Sequence, residues 1–458
     1  MIRHRAACPF CSLGCTISLT ASAGAGGAGP VRADFDSSNP ATGGALCARG
    51  NLACELLNLP GRLDTPLVQG RPARWAEALP LLAEAVRRLP SGSLGLVIGP
   101  DATPEEAALA GSFAAECLGR APATIGFHGN EPAVLAEAGA GPAVPEADPA
   151  ALGAAGAVLA VGDVLALAPV AARGLVAAGG GAPWRGLVSV GRDAGITARV
   201  AALKVSGPSE RRAALALLAA LAAAGRQPPA EAAGVLAALA GADPGVSGPA
   251  AEAARALIAA RSVAVIAASA DPVAVRLARL IAEALAPSAS FLALTEAAGA
   301  RAALAAWRPA EDFAGLVRAV RDNRLRGVLA LGCDAVTAAG VYGGAFSKLQ
   351  LLVAAAPFDN PTVRAAGFAL PTRLWAEKSG AAAAPGLAQD YGWILRGLAR
   401  HLGRELSGRP ASPEARPMTA AEAVRAAASA DPVPLAAWTA REPSDPLYRS
   451  ALTGVLVC

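Results

Sequence analysis

A chain of 458 residues, 54% hydrophobic and 17% charged, is long enough for two to four domains at roughly 150 residues each and too apolar to be disordered. Forty Lys and Arg against 36 Asp and Glu leave a net charge of +4, too dilute to mark a nucleic-acid surface or an anionic-membrane surface. Mean hydropathy is +0.42, but it comes largely from Ala and Gly. The longest apolar stretch, 151–175, is broken by Asp163, Pro169 and Arg173, which excludes a spanning helix.

In chain order, Met1-Ile2-Arg3-His4-Arg5 runs directly into cysteines. No apolar segment with a small-residue cleavage site precedes them, so the expected compartment is the cytoplasm. Of eight cysteines, Cys8, Cys11, Cys15 and Cys47 crowd the start, while Cys54, Cys117, Cys333 and Cys458 are scattered. Thr20 to Gly44, rich in Gly, Ala and Ser, reads as loop with one short hairpin around Val31 to Phe35.

Beyond this small module, short apolar runs alternate with Ala/Leu/Glu/Arg helical stretches, the pattern of βαβ units around a parallel sheet. Expected strands are Leu94 to Ile98, Ala157 to Val161, Gly186 to Val190, Val263 to Ala267, Gly327 to Leu331 and Leu351 to Ala355. Each is nearly all apolar, as strands covered on both faces should be. Expected helices include Glu105 to Cys117, Ser209 to Ala224, Ala250 to Arg261 and Val273 to Ala286. The fold class is α/β: a small N-terminal cysteine-bearing module followed by doubly wound, Rossmann-like parallel-sheet domains. The expected division is 1–65 for the module, 66–130 with 261–400 for a discontinuous α/β domain, 131–260 for a second α/β domain, and 401–458 for a C-terminal extension.

Four strands end in glycine with an aspartate one or two residues on: Gly99 with Asp101, Gly162-Asp163, Gly191-Arg192-Asp193, and Gly332 with Asp334. Ligands of open α/β sheets bind outside the carboxyl ends of the strands, where such a carboxylate can accept from a ribose or a base amine. The plainer role for the same aspartate is a helix N-cap. No G-x-G-x-x-G, no phosphate loop and no G-x-S-x-G elbow is present.

The cysteines carry the strongest signal. Cys8-Pro-Phe-Cys11-Ser-Leu-Gly-Cys15 with Cys47 has the spacing C-x2-C-x3-C-x31-C. A close pair, a third ligand on a slightly longer reach and a fourth from a distant loop can cage one iron–sulfur cube. Zinc and disulfides are the alternatives. The asymmetric triplet suits zinc poorly, and disulfides are unexpected without a secretory leader.

These motifs, together with Leu46-Cys47-Ala-Arg49-Gly50, the run 57–67 and Arg74-Trp75-Ala76-Glu77-Ala78-Leu79, resemble the opening of the molybdopterin oxidoreductases, such as formate dehydrogenase. Farther on, Gly162-Asp163, Pro169 to Arg173, Val190 to Lys204, Phe368 to Pro371 and Trp375 to Gly380 resemble later stretches of the family. The resemblance implies that Cys8, Cys11, Cys15 and Cys47 ligate a 4Fe-4S cluster. It puts Arg49 between cluster and pterin, and Gly162, Asp163, Arg192, Gly332 and Asp334 at a molybdopterin guanine dinucleotide carrying Mo or W. The implied role is a 4Fe-4S subunit passing electrons within an oxidoreductase complex, with formate- or formyl-level C1 chemistry. Its partners would be iron–sulfur or flavin subunits and a separate dinucleotide-binding subunit.

Two departures open a second expectation, a structural or relay subunit without the Mo or W site. Phe127 stands where formate-type enzymes have a Cys or selenocysteine, leaving His128 as the catalytic candidate. And 78 residues follow Gly380, too few for the family's C-terminal β-rich domain. The catalytic subunit of formylmethanofuran dehydrogenase and the large iron–sulfur subunit of NADH:quinone oxidoreductase are family arrangements that would accommodate this.

Overall fold

The computed structural model describes residues 2–24, 27–40, 42–119, 121–126, 131–178, 186–240, 248–309, 311–379, 384, 386–408 and 419–428. Strands β1 (Ile2–Ala7), β2 (Thr16–Gly24) and β3 (Gly27–Phe35) form an antiparallel sheet in the order β1-β2-β3. The stretch expected to be mostly loop is thus largely strand, with pairing running from Ile17 opposite Phe35 to Gly24 opposite Gly27. Its Ala and Gly residues hide the pattern, because small side chains carry little strand signal.

A seven-stranded sheet has the order β5 (Arg71–Pro72), β4 (Leu67–Val68), β15 (Phe368–Pro371), β14 (Leu351–Ala356), β13 (Gly327–Leu331), β6 (Leu94–Ile98), β7 (Ala123–Ile125). It is parallel from β15 to β7, and β4 and β5 close one edge antiparallel. A five-stranded, wholly parallel sheet has the order β10 (Leu203–Ser206), β9 (Leu187–Gly191), β8 (Ala157–Gly162), β11 (Val263–Ala268), β12 (Ala289–Ala293). Among the parallel strands of each sheet, the chain starts in an inner strand, builds to one side and then crosses to the other. This creates a switch point between β6 and β13, and another between β8 and β11, where crevices form.

The six expected strands are all present, within a residue or two at their ends. Four unanticipated strands of the parallel sheets have physical reasons: β7 is three residues, β10 is a partly exposed edge, β12 is diluted by Ala and Ser, and β15 ends in Pro371. Strands β11 and β12 join the five-stranded sheet, so the return to the first sheet follows residue 293 rather than starting at 261. The helix expected over Glu105 to Cys117 is Pro104–Phe113 followed by a π-helical turn, Ala114–Leu118. Its start is a capping box: Thr103 Oγ1 accepts from the Glu106 N–H at 3.2 Å, and Glu106 Oε2 accepts from the Thr103 N–H at 2.8 Å. Within the expected 401–458 extension, helix Ala420–Ala428 packs Ala420, Val424 and Ala427 into the core of the five-stranded unit.

Candidate iron–sulfur site and the two sheet crevices

Cys8, Cys11 and Cys15 lie on the connection between β1 and β2, and Cys47 immediately precedes the short helix Ala48–Leu52. The Cys8 N–H donates to the Cys15 carbonyl at 2.8 Å, closing the loop, and Gly14 turns it with φ of 88°. Asn39 Nδ2 donates to the Gly14 carbonyl at 2.8 Å, pinning that turn from the loop that follows β3. All seven described cysteines are free thiols, which removes the disulfide alternative among them.

Burial pushes the Cys8 and Cys15 thiols up to about 12 and also raises Cys11, and the negative charge of neighbouring thiolates adds to this. Backbone N–H groups of Phe10 and Leu13 pull Cys8 and Cys11 the other way, as does the Arg49 guanidinium for Cys11. The four thiols are close enough to feel one another's charge, and a cationic centre is what would let them ionise together. A single tetrahedral zinc would draw thiolates to about 3.8 Å from one another, given Zn–S bonds of about 2.3 Å. Among the described residues no three Cys, His, Asp or Glu groups are gathered tightly enough for one metal ion. A four-iron cube carries its thiolates on separate corners, and a close triplet with one distant ligand suits that arrangement better than a single tetrahedral zinc.

Arg49 lies over the Phe10 ring with its guanidinium carbon 5.8 Å from the centroid, and donates to the Leu167 carbonyl. Leu167 closes the short helix Val164–Leu167 that follows β8. The expected cation therefore bridges the cysteine loop and the carboxyl end of the five-stranded sheet.

The crevice residues are arranged differently. Asp163 Oδ1 accepts from the Ala166 N–H at 3.2 Å, the Thr197 N–H at 3.0 Å and the Thr197 hydroxyl at 2.7 Å, and Oδ2 accepts from the Ile196 N–H at 2.8 Å. Asp334 takes the N–H and hydroxyl of both Thr337 and Thr362, at 2.6–3.3 Å. Both carboxylates are helix caps that also tie a second element. At Gly332, φ is 70° and a Cβ would run into the Tyr391 hydroxyl. At Gly162, φ is 81° and a Cβ would strike the Ala268 carbonyl. Arg192 is exposed and lies near Glu210, whose side chain bonds Ser269.

Between β6 and β13 sits a buried ionic cluster that sequence reasoning missed. Lys378 Nζ is 3.1 Å from Asp101 Oδ2, 3.0 Å from Glu106 Oε2 and 3.6 Å from the Tyr391 ring centroid. The Tyr391 hydroxyl donates to Asp101 at 2.8 Å, and its N–H donates to Glu106 Oε1 at 2.8 Å. The pair Asp101 and Glu106 lies at least 272 residues from Lys378 and Tyr391, too far for spacing to connect them. The set Gly162, Asp163, Arg192, Gly332 and Asp334 thus falls into two groups: Gly162, Asp163 and Arg192 at the carboxyl ends of the five-stranded sheet, and Gly332 and Asp334 beside the ionic cluster in the seven-stranded one, with both aspartates acting as caps.

His128 and Phe127 lie outside the described residues. Just before them, a Cβ at Gly126 would sit 2.8 Å from Cys333 Sγ. A buried thiol therefore adjoins the segment where the sequence alone shows none. Cys117 is half-buried on the π-helical turn, against the core of the seven-stranded unit.

Residues 1–59 match the family described as the molybdopterin oxidoreductase Fe4S4 domain. A nitrate reductase of Klebsiella oxytoca is 35% identical over 89 residues, 19% of this chain and 10% of that protein. The chain thus spans about a tenth of the curated relative it matches. Among solved structures, acetylene hydratase from Pelobacter acetylenicus is similar at a TM-score of 0.65 and 14% identity, over 87% of this chain and 69% of that one. A chain of the formyltransferase/hydrolase complex FhcABCD from Methylorubrum extorquens is similar at 0.50 and 18% identity, over 74% of this chain and 98% of that one. At these identities the two structures speak to the fold.

Proposed function

From a chain that carries the Fe4S4 domain of the molybdopterin oxidoreductase family, we propose an electron-transfer subunit whose Cys8, Cys11, Cys15 and Cys47 hold one 4Fe-4S cluster within an oxidoreductase complex. The gathering of four buried or half-buried free thiols within range of one another's charge carries this reading. When bound, the cluster supplies reversible one-electron storage. The chain's own work is electrostatic: the Phe10 and Leu13 N–H groups and the Arg49 cation offset the negative charge held by the thiolates. Burial of Cys8, Cys11 and Cys15 excludes water from that charge.

Of the two expectations for the metal-pterin, we favour the relay without Mo or W, because Asp163 and Asp334 serve as caps and an ionic cluster occupies the carboxyl end of β6 and β13. The C1 chemistry at formate or formyl level then belongs to partner subunits, an assignment in keeping with a structural neighbour that is itself part of a multi-subunit complex. Among the described residues no helix is long and apolar enough to cross a membrane. A reducing, cytoplasmic setting suits seven free thiols.

The test is anaerobic copurification with the native partners, followed by metal analysis and a redox titration. About four irons per chain, a one-electron transition and no Mo or W are expected. One Mo or W per chain would overturn the relay reading, and absence of iron would overturn both.

A further inference from the structure

Between the two α/β units lies a cavity of about 310 Å³ that neither the cluster site nor the crevices use. Two of the chain's crossings between the units wall it: Leu135 on helix Glu131–Ala138 and Glu146 on the outward passage, Arg301 and Arg308 on the return. The five-stranded unit contributes Phe291 from β12 and Arg279 from helix Pro272–Ala284.

Arg279 is the informative residue. Its side chain is 8% exposed, and its guanidinium carbon lies 5.5 Å from the Phe291 ring centroid. One Nη donates to the Pro142 carbonyl, while Nε is 3.4 Å from Glu283 Oε1 and has no hydrogen-bond partner. A guanidinium has five N–H donors in a planar fork, and a buried one with donors to spare is costly unless something accepts them. Glu283 is shared with Arg276, so one buried carboxylate faces two buried guanidiniums. At the rim Arg301 pairs with Glu146, and Arg308 has no ion-pair partner among the described residues. Three cations thus face the cavity against one rim carboxylate and one shared buried one, beside apolar walls.

We propose that this cavity binds a small organic anion, a phosphate or carboxylate head on an apolar body, held across the two units. The head sits between Arg279 and Arg308, where the planar fork suits two-oxygen acceptors, and the body packs on Leu135 and Phe291. Pockets between units favour this mix of apolar lining and a few convergent polar groups.

The test titrates phenyl phosphate and benzoate into the full chain by calorimetry, with benzyl alcohol and inorganic phosphate as half-ligands. At least one of the two anions is expected to bind with Kd below about 1 mM, and the tighter of the two identifies the head group. Arg308→Gln, a change at a half-buried side chain, is expected to weaken it about tenfold with an unchanged unfolding midpoint. Both half-ligands are expected to bind about tenfold more weakly than the whole. No binding of either anion up to about 10 mM, binding unchanged in Arg308→Gln, or a half-ligand binding as tightly as the whole would overturn the proposal.

Discussion

Ser12 and Thr295, 283 positions apart, exchange two hydrogen bonds: the Ser12 N–H donates to the Thr295 carbonyl at 3.1 Å, and the Thr295 N–H donates to Ser12 Oγ at 2.8 Å. Ser12 follows Cys11 and Thr295 follows β12, so the cysteine loop is stitched to the carboxyl edge of the five-stranded sheet. Ser12→Ala removes one of these bonds and leaves a buried N–H unpaired, a cost of about 1–3 kcal/mol. The expected outcome is faster loss of visible absorption under an iron chelator, with the starting iron content unchanged.

Lys378 is held by Asp101 and Glu106 under the Tyr391 ring. Burial pushes its ammonium down, but the two carboxylates outweigh this and keep it above the usual lysine range. Lys378→Met would strand two buried carboxylates, and removing one partner of a buried ion pair costs about 3–5 kcal/mol. Denaturant unfolding should show that loss, while a purely exposed lysine would show about 0–1 kcal/mol.

Asp163 supplies a pH signature. Burial pushes its carboxyl up, yet the Thr197 hydroxyl and the N–H groups of Thr197, Ile196 and Ala166 outweigh this and hold it below the usual range. A depressed folded value means a contribution fully present above the unfolded value of about 3.9 and lost as pH falls through the folded one. Asp163→Asn is expected to lower stability near neutrality by about 1 kcal/mol, the worth of a helix cap. Its stability should then fall less than wild type between about pH 5 and about pH 3.

Much of this architecture is legible in the sequence, because buried parallel strands such as Val263–Ala268 are continuous apolar runs and the cysteine spacing is local. The hairpin of β2 and β3 is obscured by Gly and Ala, and β10 by its half-exposed edge position. The ionic cluster of Asp101, Glu106, Lys378 and Tyr391 is invisible in sequence, since it depends on the β6–β13 switch point bringing distant segments together. The aspartates after the strand glycines were legible in kind only: spacing marks a turn carboxylate, and packing decides that Asp163 and Asp334 are caps.

Arg49 stands beside the thiol of Cys11, and a nearby cation favours the more negative state of a cluster. Arg49→Ala is expected to make the cluster harder to reduce, moving its midpoint potential negative in a potentiometric titration, and Arg49→Lys should stay near the wild-type value. Equal potentials in all three proteins would show that the guanidinium does not act on the cluster.

The cluster itself is tested most directly by iron and acid-labile sulfide per chain in anaerobically purified protein, wild type beside Cys11→Ser and Cys47→Ser. About four of each are expected in the wild type, with a broad visible absorption that both substitutions diminish along with the iron. Wild-type iron and an unchanged spectrum in both variants would contradict the assignment of Cys8, Cys11, Cys15 and Cys47 as its ligands.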